Sequence, residues 1–309
     1  MILGIDIGGT AVKMGLLDRE GNIHARHEAS VCFDNYKTPI LTTVVREAEK
    51  FTSASGETIE GIGVSATGQV DVRTGVVIGT DGKIPGYEGS PVKQTLEEAF
   101  DVPAWVLNDA NAAVLGECAA GAGKGVDNVI MVTLGTGVGG GVVSDGKLLN
   151  GGRGIAGEIG HFTLYQNGPV CTCGKRGCYE NYASSRALVK ACIDATGRAD
   201  LDGRMIFEAA EQRKQPYCDV LDRWLDDVAA GITGLVHIFN PGLVLVGGGV
   251  STQEKLLIEP LRRRVLTGVM PRFSEGLRLE RAALGNDAGM IGAVNYCLEQ
   301  MKGNERHEV

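Results

Sequence analysis

The chain lacks the long apolar stretches that a membrane demands: none of its runs approaches the roughly 20 apolar residues of a spanning helix. It lacks a signal peptide, since Met1-Ile-Leu leads straight into a strand. Its eight cysteines are therefore expected in a reducing cytoplasm, where a disulfide framework is disfavoured. It lacks an excess of positive charge. A net charge of −8 argues against nucleic acid or an anionic membrane as the main partner. It also lacks a P-loop, because Gly121-Ala-Gly-Lys124 has the wrong spacing for a Walker A sequence. Gly135-x-Gly137-x-x-Gly140 fits the dinucleotide fingerprint formally, but that motif needs a helix after its glycines. Gly141-Val-Val143-Ser-Asp-Gly reads instead as a strand entering a turn, which rejects an NAD oxidoreductase.

What is present describes an ordinary soluble α/β protein. Its 309 residues allow two domains, and 43% hydrophobic with 22% charged residues is normal for a globular chain. Glycine is abundant, with 46 residues in clusters, which points to backbone-lined binding loops. Short apolar runs at Ile2–Ile5, Ala11–Leu17, Asn22–Glu28, Ile59–Val64 and Ala104–Leu107 read as strands. Helical apolar spacing appears at Thr38–Phe51, and Ser90-Pro91 reads as an N-cap and first-turn pair opening a helix to Phe100. A further helix follows Asn108-Asp109 to about Ala120.

The second half repeats the pattern, with strands at Asn128–Thr133 and Gly140–Val143, Lys147–Leu149 completing a hairpin around Asp145-Gly146, and a buried strand at Leu243–Val246. Helices are expected at Ser185–Thr196 and Asp219–His237, with a closing helix from near Ala288 and a frayed tail over 302–309. Arg262-Arg-Arg264 reads as a solvated helix face, and Cys32, Cys118, Cys192, Cys218 and Cys297 as small buried hydrophobes. Gly8-Gly9-Thr10 and Gly135-Thr136-Gly137 each follow one strand and precede another, a weak internal duplication with a phosphate-sized loop in each half. A single such loop would pass for a tight hairpin. Two in matching contexts, with a third at Gly247-Gly248-Gly249, favour nucleotide binding.

The densest chemistry lies in Glu158-Ile-Gly-His161 and Cys171-Thr-Cys173-Gly-Lys-Arg-Gly-Cys178-Tyr-Glu180. Three thiolates and one imidazole complete a tetrahedral zinc ion and leave no open position, so the expectation is a structural zinc that clamps a loop. The alternative is three unrelated cysteines near a histidine; the Cys-x-Cys-x4-Cys spacing favours zinc. A metal that fixes this loop would also fix where Glu158 and Glu180 point. A phosphoryl-transfer enzyme without a P-loop still needs backbone donors for the phosphates, a carboxylate near Mg²⁺ and a base for the acceptor hydroxyl. Asp6, at a strand end beside Gly8-Gly9, suits the metal side; Asp109, at another strand end beside Asn108, suits the base. Each alone could be no more than a turn former.

Asp6-Ile-Gly-Gly-Thr10, Leu107-Asn-Asp109-Ala-Asn111-Ala, Leu134-Gly-Thr-Gly137-Val-Gly-Gly, Gly157-Glu-Ile-Gly-His161, the cysteine stretch and Gly247-Gly-Gly249 together closely resemble the ROK family of bacterial sugar kinases and repressors. The resemblance covers nearly the whole chain in the family's order. It implies a two-domain actin-like ATPase fold, ribonuclease H-like, with duplicated βββαβα units. The expected division is a small domain over 1–107, closed by a helix near 289–302, and a large domain over 108–288 carrying the zinc loop 158–180.

By the same resemblance Asp109 is the general base, and Gly68, Asn108, Glu158, His161 and Glu180 contact the sugar together with it. ATP and Mg²⁺ would be held by Asp6, Gly8, Gly9, Thr10, Thr136 and Gly137, with Gly247, Gly248 and Gly249 near the nucleoside. Zinc would sit on His161, Cys171, Cys173 and Cys178. The implied partners are a sugar and ATP, with no nucleic acid or membrane, in a homodimer or homotetramer. Two departures concern the substrate: Thr67-Gly68-Gln69 replaces the family's usual Pro-Gly segment, and Lys83-Ile-Pro85-Gly86-Tyr87 replaces Asn-Leu-Pro-Gly-Trp. Glucose is the favoured hexose, phosphorylated on its 6-hydroxyl. N-acetylmannosamine follows, because Thr67-Gly68-Gln69 and Leu284-Gly-Asn-Asp-Ala-Gly-Met-Ile-Gly-Ala293 resemble some kinases of that sugar. The family's repressors carry a helix-turn-helix segment before the first phosphate loop, and with Asp6 already in that loop a repressor is disfavoured.

Overall fold

The computed structural model describes residues 1–80, 82 and 84–305, so Lys83 of the altered segment and the tail over 306–309 lie outside the described residues. The chain forms two compact units. The first comprises Met1–Lys124, Leu148–Ala156 and the chain from Asn286 onward; the second comprises Gly125–Lys147 and Gly157–Gly285.

The first unit starts with β1 (Ile2–Ile7), β2 (Ala11–Leu17) and β3 (Ile23–Ser30), then α1 (Ile40–Ser55) and β4 (Gly61–Ala66). A small hairpin of β5 (Gln69–Asp71) and β6 (Val76–Gly79) precedes α2 (Val92–Phe100), β7 (Ala104–Asn108) and α3 (Asp109–Ala120). The sheet order is β3-β2-β1-β4-β7. β1 pairs antiparallel with β2 and parallel with β4, which pairs parallel with β7. Burial explains the sequence: β4 is buried along its whole length, whereas edge strand β3 alternates between half-buried and exposed.

The second unit repeats that plan with β8 (Val129–Leu134), β9 (Val138–Ser144) and β10 (Lys147–Leu148). The helices α4 (Glu180–Ala183), α5 (Ser185–Thr196), α6 (Gly203–Glu211) and α7 (Tyr217–Phe239) follow, then β11 (Leu243–Gly247). The unit ends with α8 (Glu259–Gly268), α9 (Pro271–Ser274) and β12 (Arg278–Arg281); α10 (Ala288–Glu305) then returns to the first unit. The order β10-β9-β8-β11-β12 matches the first sheet strand for strand, with the same parallel and antiparallel pairings. The duplication expected from the glycine loops is present. Each βββαβα run is continued by one more strand and helix.

Several expectations need correction. The first unit runs to Lys124 rather than 107, because α3 packs backbone to backbone on α10: a Cβ at Gly116 would overlap the Ala288 carbonyl, and one at Gly292 the Ala112 carbonyl. Residues 302–305 are helical rather than frayed. Ser90 does not cap α2. Pro91 holds the cap position without a side-chain bond, while Ser90 donates its N–H to Tyr87 and its carbonyl accepts from Val77. Arg264 is not solvated, being 22% exposed in its side chain and paired with Asp222 and Asp226, and Arg262 donates to the Leu279 carbonyl at 2.8 Å. Cys192 and Cys297 are buried as expected, whereas Cys32, Cys118 and Cys218 are only half-buried. Among the described residues no helix is long and apolar enough to cross a membrane.

Candidate active site

Each glycine loop is closed by a backbone hydrogen bond from its first glycine. In the first unit the Gly8 N–H closes the turn on the Ala11 carbonyl at 3.0 Å, and the turn's other carbonyls are tied down. The Tyr36 hydroxyl donates to Gly9 O at 2.5 Å and the Val31 N–H to Thr10 O at 3.0 Å. In the second unit the Gly135 N–H closes on Gly137 O at 3.0 Å, and Ser185 grips Gly135 O with its N–H at 2.9 Å and its hydroxyl at 2.6 Å. Among the described residues, the N–H groups of Gly9, Thr10, Thr136 and Gly137 have no protein acceptor. Turns with tied carbonyls and free N–H groups are anion-binding nests. The third loop abuts the second. Gly248 has a φ of +89°, and a Cβ there would overlap the Leu134 backbone just before Gly135, so only glycine fits.

Strand register sets the carboxylates of the first unit. Asp6 pairs with Ser65 on β4, and Ala66 pairs with Asn108 on β7, so Asp6 and Asn108-Asp109 share the carboxyl-end edge of parallel strands. Ligands of open α/β sheets bind at that edge. Burial pushes the Asp6 carboxyl above its ordinary value, opposed by the Ser65 hydroxyl, which donates at 2.6 Å, and by the charge of Lys13. A half-buried carboxylate with its ionised form disfavoured fits a cation site.

Asn108 caps α3, its side-chain oxygen accepting from Ala110 N and Asn111 N. Its amide nitrogen donates to Gly68 O at 2.9 Å and to the Asp109 carboxylate at 3.0 Å. Asp109 also accepts from Ala110 N at 2.8 Å. The start of a helix favours negative charge. Tyr87, expected to border the sugar, is 2% exposed, with its hydroxyl close enough to Asp109 and Asp6 to feel their charges. Among the described residues its buried hydroxyl has no hydrogen-bond partner, and burial with the charges of Asp109 and Asp6 raises its pKa.

In the second unit His161, Cys171, Cys173 and Cys178 bring one ligand atom each to within 4.8 Å of one another. Cys171 Sγ lies 3.6 Å from His161 Nδ1, and Cys173 Sγ lies 3.6 Å from Cys178 Sγ. A tetrahedral zinc with bonds of about 2.3 Å to sulfur and about 2.0 Å to nitrogen sets its ligand atoms roughly 3.5–3.8 Å apart. The donor set fits such an ion. Burial and the neighbouring sulfurs push the Cys178 thiol up to about 12, whereas the Cys173 thiol is lowered, its burial outweighed by hydrogen bonds from the Lys175 backbone and the neighbouring cysteines. His161 ends a 3₁₀ turn, Ile159–His161, and Glu158 stands exposed just before it. Glu180, 8% exposed, opens α4 and accepts from Val138 N at 3.1 Å and from Arg186 at 3.4 Å.

The ROK family's model matches residues 2–300. The chain belongs to the ROK family. It is 34% identical over 316 aligned residues to a glucokinase of Thermotoga maritima, covering 98% of each protein. The crystal structure of a ROK glucokinase from Streptomyces griseus with glucose and AMPPNP matches at a TM-score of 0.78 and 33% identity, over 96% of this chain and 99% of that one. A putative N-acetylmannosamine kinase from Listeria monocytogenes matches at 0.83 and 28% identity, over 97% and 99%. The fold of this ROK chain is therefore the actin-like one.

Within each unit the expected residues assemble. Gly68, Asn108 and Asp109 are joined by hydrogen bonds, and Asp6 sits on the same strand-end edge. In the second unit Glu180 touches the second glycine turn: a Cβ at Gly137 would overlap its carboxylate. Sequence reasoning missed Ser65, Tyr36 and Ser185, the hydroxyls that hold Asp6 and the two turns. Hydroxyl residues of this kind carry no motif.

Proposed function

We propose that this ROK chain is an ATP-dependent kinase that phosphorylates the 6-hydroxyl of a hexose, with glucose the favoured substrate. The observation that carries this reading is the constellation of Asn108, Asp109 and Gly68. A carboxylate at a helix start is fixed by an amide and a backbone N–H, on the same strand-end edge as Asp6. Asp109 takes the proton from the acceptor hydroxyl as its oxygen bonds to the γ-phosphorus and ADP leaves. The N–H groups of Gly9, Thr10, Thr136 and Gly137 bind phosphate oxygens, and Gly247–Gly249 borders the nucleoside. Mg²⁺, held on the Asp6 side, supplies charge neutralisation for the transferred phosphoryl group.

Sugar hydroxyls are assigned to Gly68, Asn108 and Asp109 of the first unit and to Glu158, His161 and Glu180 of the second. Zinc on His161, Cys171, Cys173 and Cys178 fixes their loop. With Nδ1 facing the sulfurs, His161 keeps Nε2–H as the donor to the sugar. The setting is the cytoplasm, in a homodimer or homotetramer.

A second reading is an N-acetylmannosamine kinase. In its favour, the carboxamide of Gln69, beside Gly79 in the departed segment, has no described partner, leaving an amide for an acetamido group. Coupled ADP release over glucose, mannose, fructose, allose, N-acetylglucosamine and N-acetylmannosamine, scored by kcat/KM, decides. Glucose is expected to lead. Turnover of a disaccharide or glycoside with none of these six would overturn the monosaccharide reading, and sugar binding without any turnover would point to a regulator.

A further inference from the structure

The segment that follows the third cysteine of the metal cluster holds both edges of the second phosphate turn. Cys178 is a cluster residue, and Tyr179 beside it is fully buried, stacked on Phe162 at 5.0 Å and donating its hydroxyl to Val228 O at 2.7 Å. Glu180 then accepts from Val138 N at one edge of the turn. Ser184 is pinned by the Trp224 indole N–H, which donates to its carbonyl at 3.1 Å. Ser185 closes the other edge with its double grip on Gly135 O. The cluster's histidine arm packs on the same place, since a Cβ at Gly160 would overlap the Val138 carbonyl.

Peptide planarity gives this grip a consequence. In a trans peptide the carbonyl of one residue and the N–H of the next lie in one plane and point in opposite directions. Holding Gly135 O against α5 therefore forces the Thr136 N–H to the turn's other side, where an anion would bind. The first unit reaches the same result with an unrelated segment: Tyr36 holds Gly9 O, which turns out the Thr10 N–H. In each turn a hydroxyl from outside it holds one carbonyl, Gly9 O or Gly135 O, and so turns out the N–H of the threonine that follows, which argues for function over incidental packing.

We propose that Ser185 is a positioning residue for the phosphates of the nucleotide, acting through Gly135 and Thr136, and that segment 178–185 ties nucleotide affinity to the state of the metal cluster. This rests on the kinase reading above. The test is titration of AMPPNP with Mg²⁺ by calorimetry, without sugar, into the wild type, Ser185→Ala and Ser185→Thr, with thermal unfolding and a separate sugar titration. Losing one hydrogen bond is expected to weaken AMPPNP about 3- to 10-fold in Ser185→Ala. Sugar affinity and unfolding temperature stay close to wild type, and Ser185→Thr, which keeps the hydroxyl, restores nucleotide affinity. Chelation of the wild type's metal is expected to weaken AMPPNP binding in the same assay.

AMPPNP affinity unchanged in Ser185→Ala, or nucleotide and sugar affinity falling together with the unfolding temperature, would overturn the positioning role. Equal AMPPNP affinity before and after chelation would overturn the tie to the cluster. A wild type that binds no AMPPNP at all would sink the kinase reading itself.

Discussion

Asp109 and Asp6 are both aspartates at strand ends, and their surroundings separate their roles. Asp109 is exposed at a helix start and fixed by Asn108, the setting of a base. Asp109→Asn is expected to keep sugar binding by calorimetry while turnover falls roughly 10²- to 10⁴-fold. Near-normal turnover would remove Asp109 from the mechanism. Asp6 is raised by burial, so its ionised form destabilises the ligand-free protein. Its contribution to stability is complete below the ordinary value of 3.8 and is lost as pH rises through the folded-state value, so at neutral pH the carboxylate is a net cost. Asp6→Asn is therefore expected to raise the unfolding temperature at pH 7 by about 2 °C, an advantage that shrinks as the pH is lowered, while abolishing Mg²⁺-dependent turnover. A lower unfolding temperature, or a defect confined to the KM for sugar, would show that the two carboxylates are misassigned.

At the scale of elements, α3 carries Asp109 on its first turn, so whatever positions α3 positions the proposed base. That partner is α10, reached through Gly116 and Gly292 with no room for a side chain. This pairing was not legible in the sequence. α3 is buried on almost every side through Ala110, Asn111, Ala112, Val114, Leu115, Gly116 and Glu117, so it shows no apolar stripe, and its partner is far away in the chain. Elements with one wet face, such as α7 and the edge hairpins, were legible because burial and exposure alternate along them. Gly292→Ala would drive a Cβ into the Ala112 carbonyl and is expected to destabilise by about 3 kcal/mol in urea unfolding, with turnover falling as Asp109 shifts. Gly303→Ala, on the same helix with open space around it, is the control, expected to be neutral or to stabilise by up to about 1 kcal/mol. Equal behaviour of the two variants would mean that the α3–α10 contact does not fix the base.

For the whole molecule, the duplication was readable because both halves write the same grammar: short apolar strands joined by glycine turns. The meeting of His161, Cys171, Cys173 and Cys178 was readable because the four fall within one short loop, and spacing within one loop survives folding. Ser185, Tyr36 and Ser65 were not readable, because a hydroxyl acquires its role only from what folding sets beside it. The cluster also bears on the stability of the second unit. Its loop is rich in turns and has little regular structure, while Cys171, Cys178 and Tyr179 are buried beneath it. Without a cation the loop loses its tie; with one, the binding free energy becomes folding free energy. Elemental analysis is expected to find one zinc per chain. Stripping it, or replacing Cys173 with Ser, is expected to lower the unfolding temperature and abolish turnover together, and returning zinc to the stripped wild type should restore both. Cys173→Ser, which keeps the loop's length but lacks a thiolate, should not be rescued by zinc. A metal-free protein that is fully active and unfolds at the wild-type temperature would show that the three cysteines and the histidine meet without holding an ion.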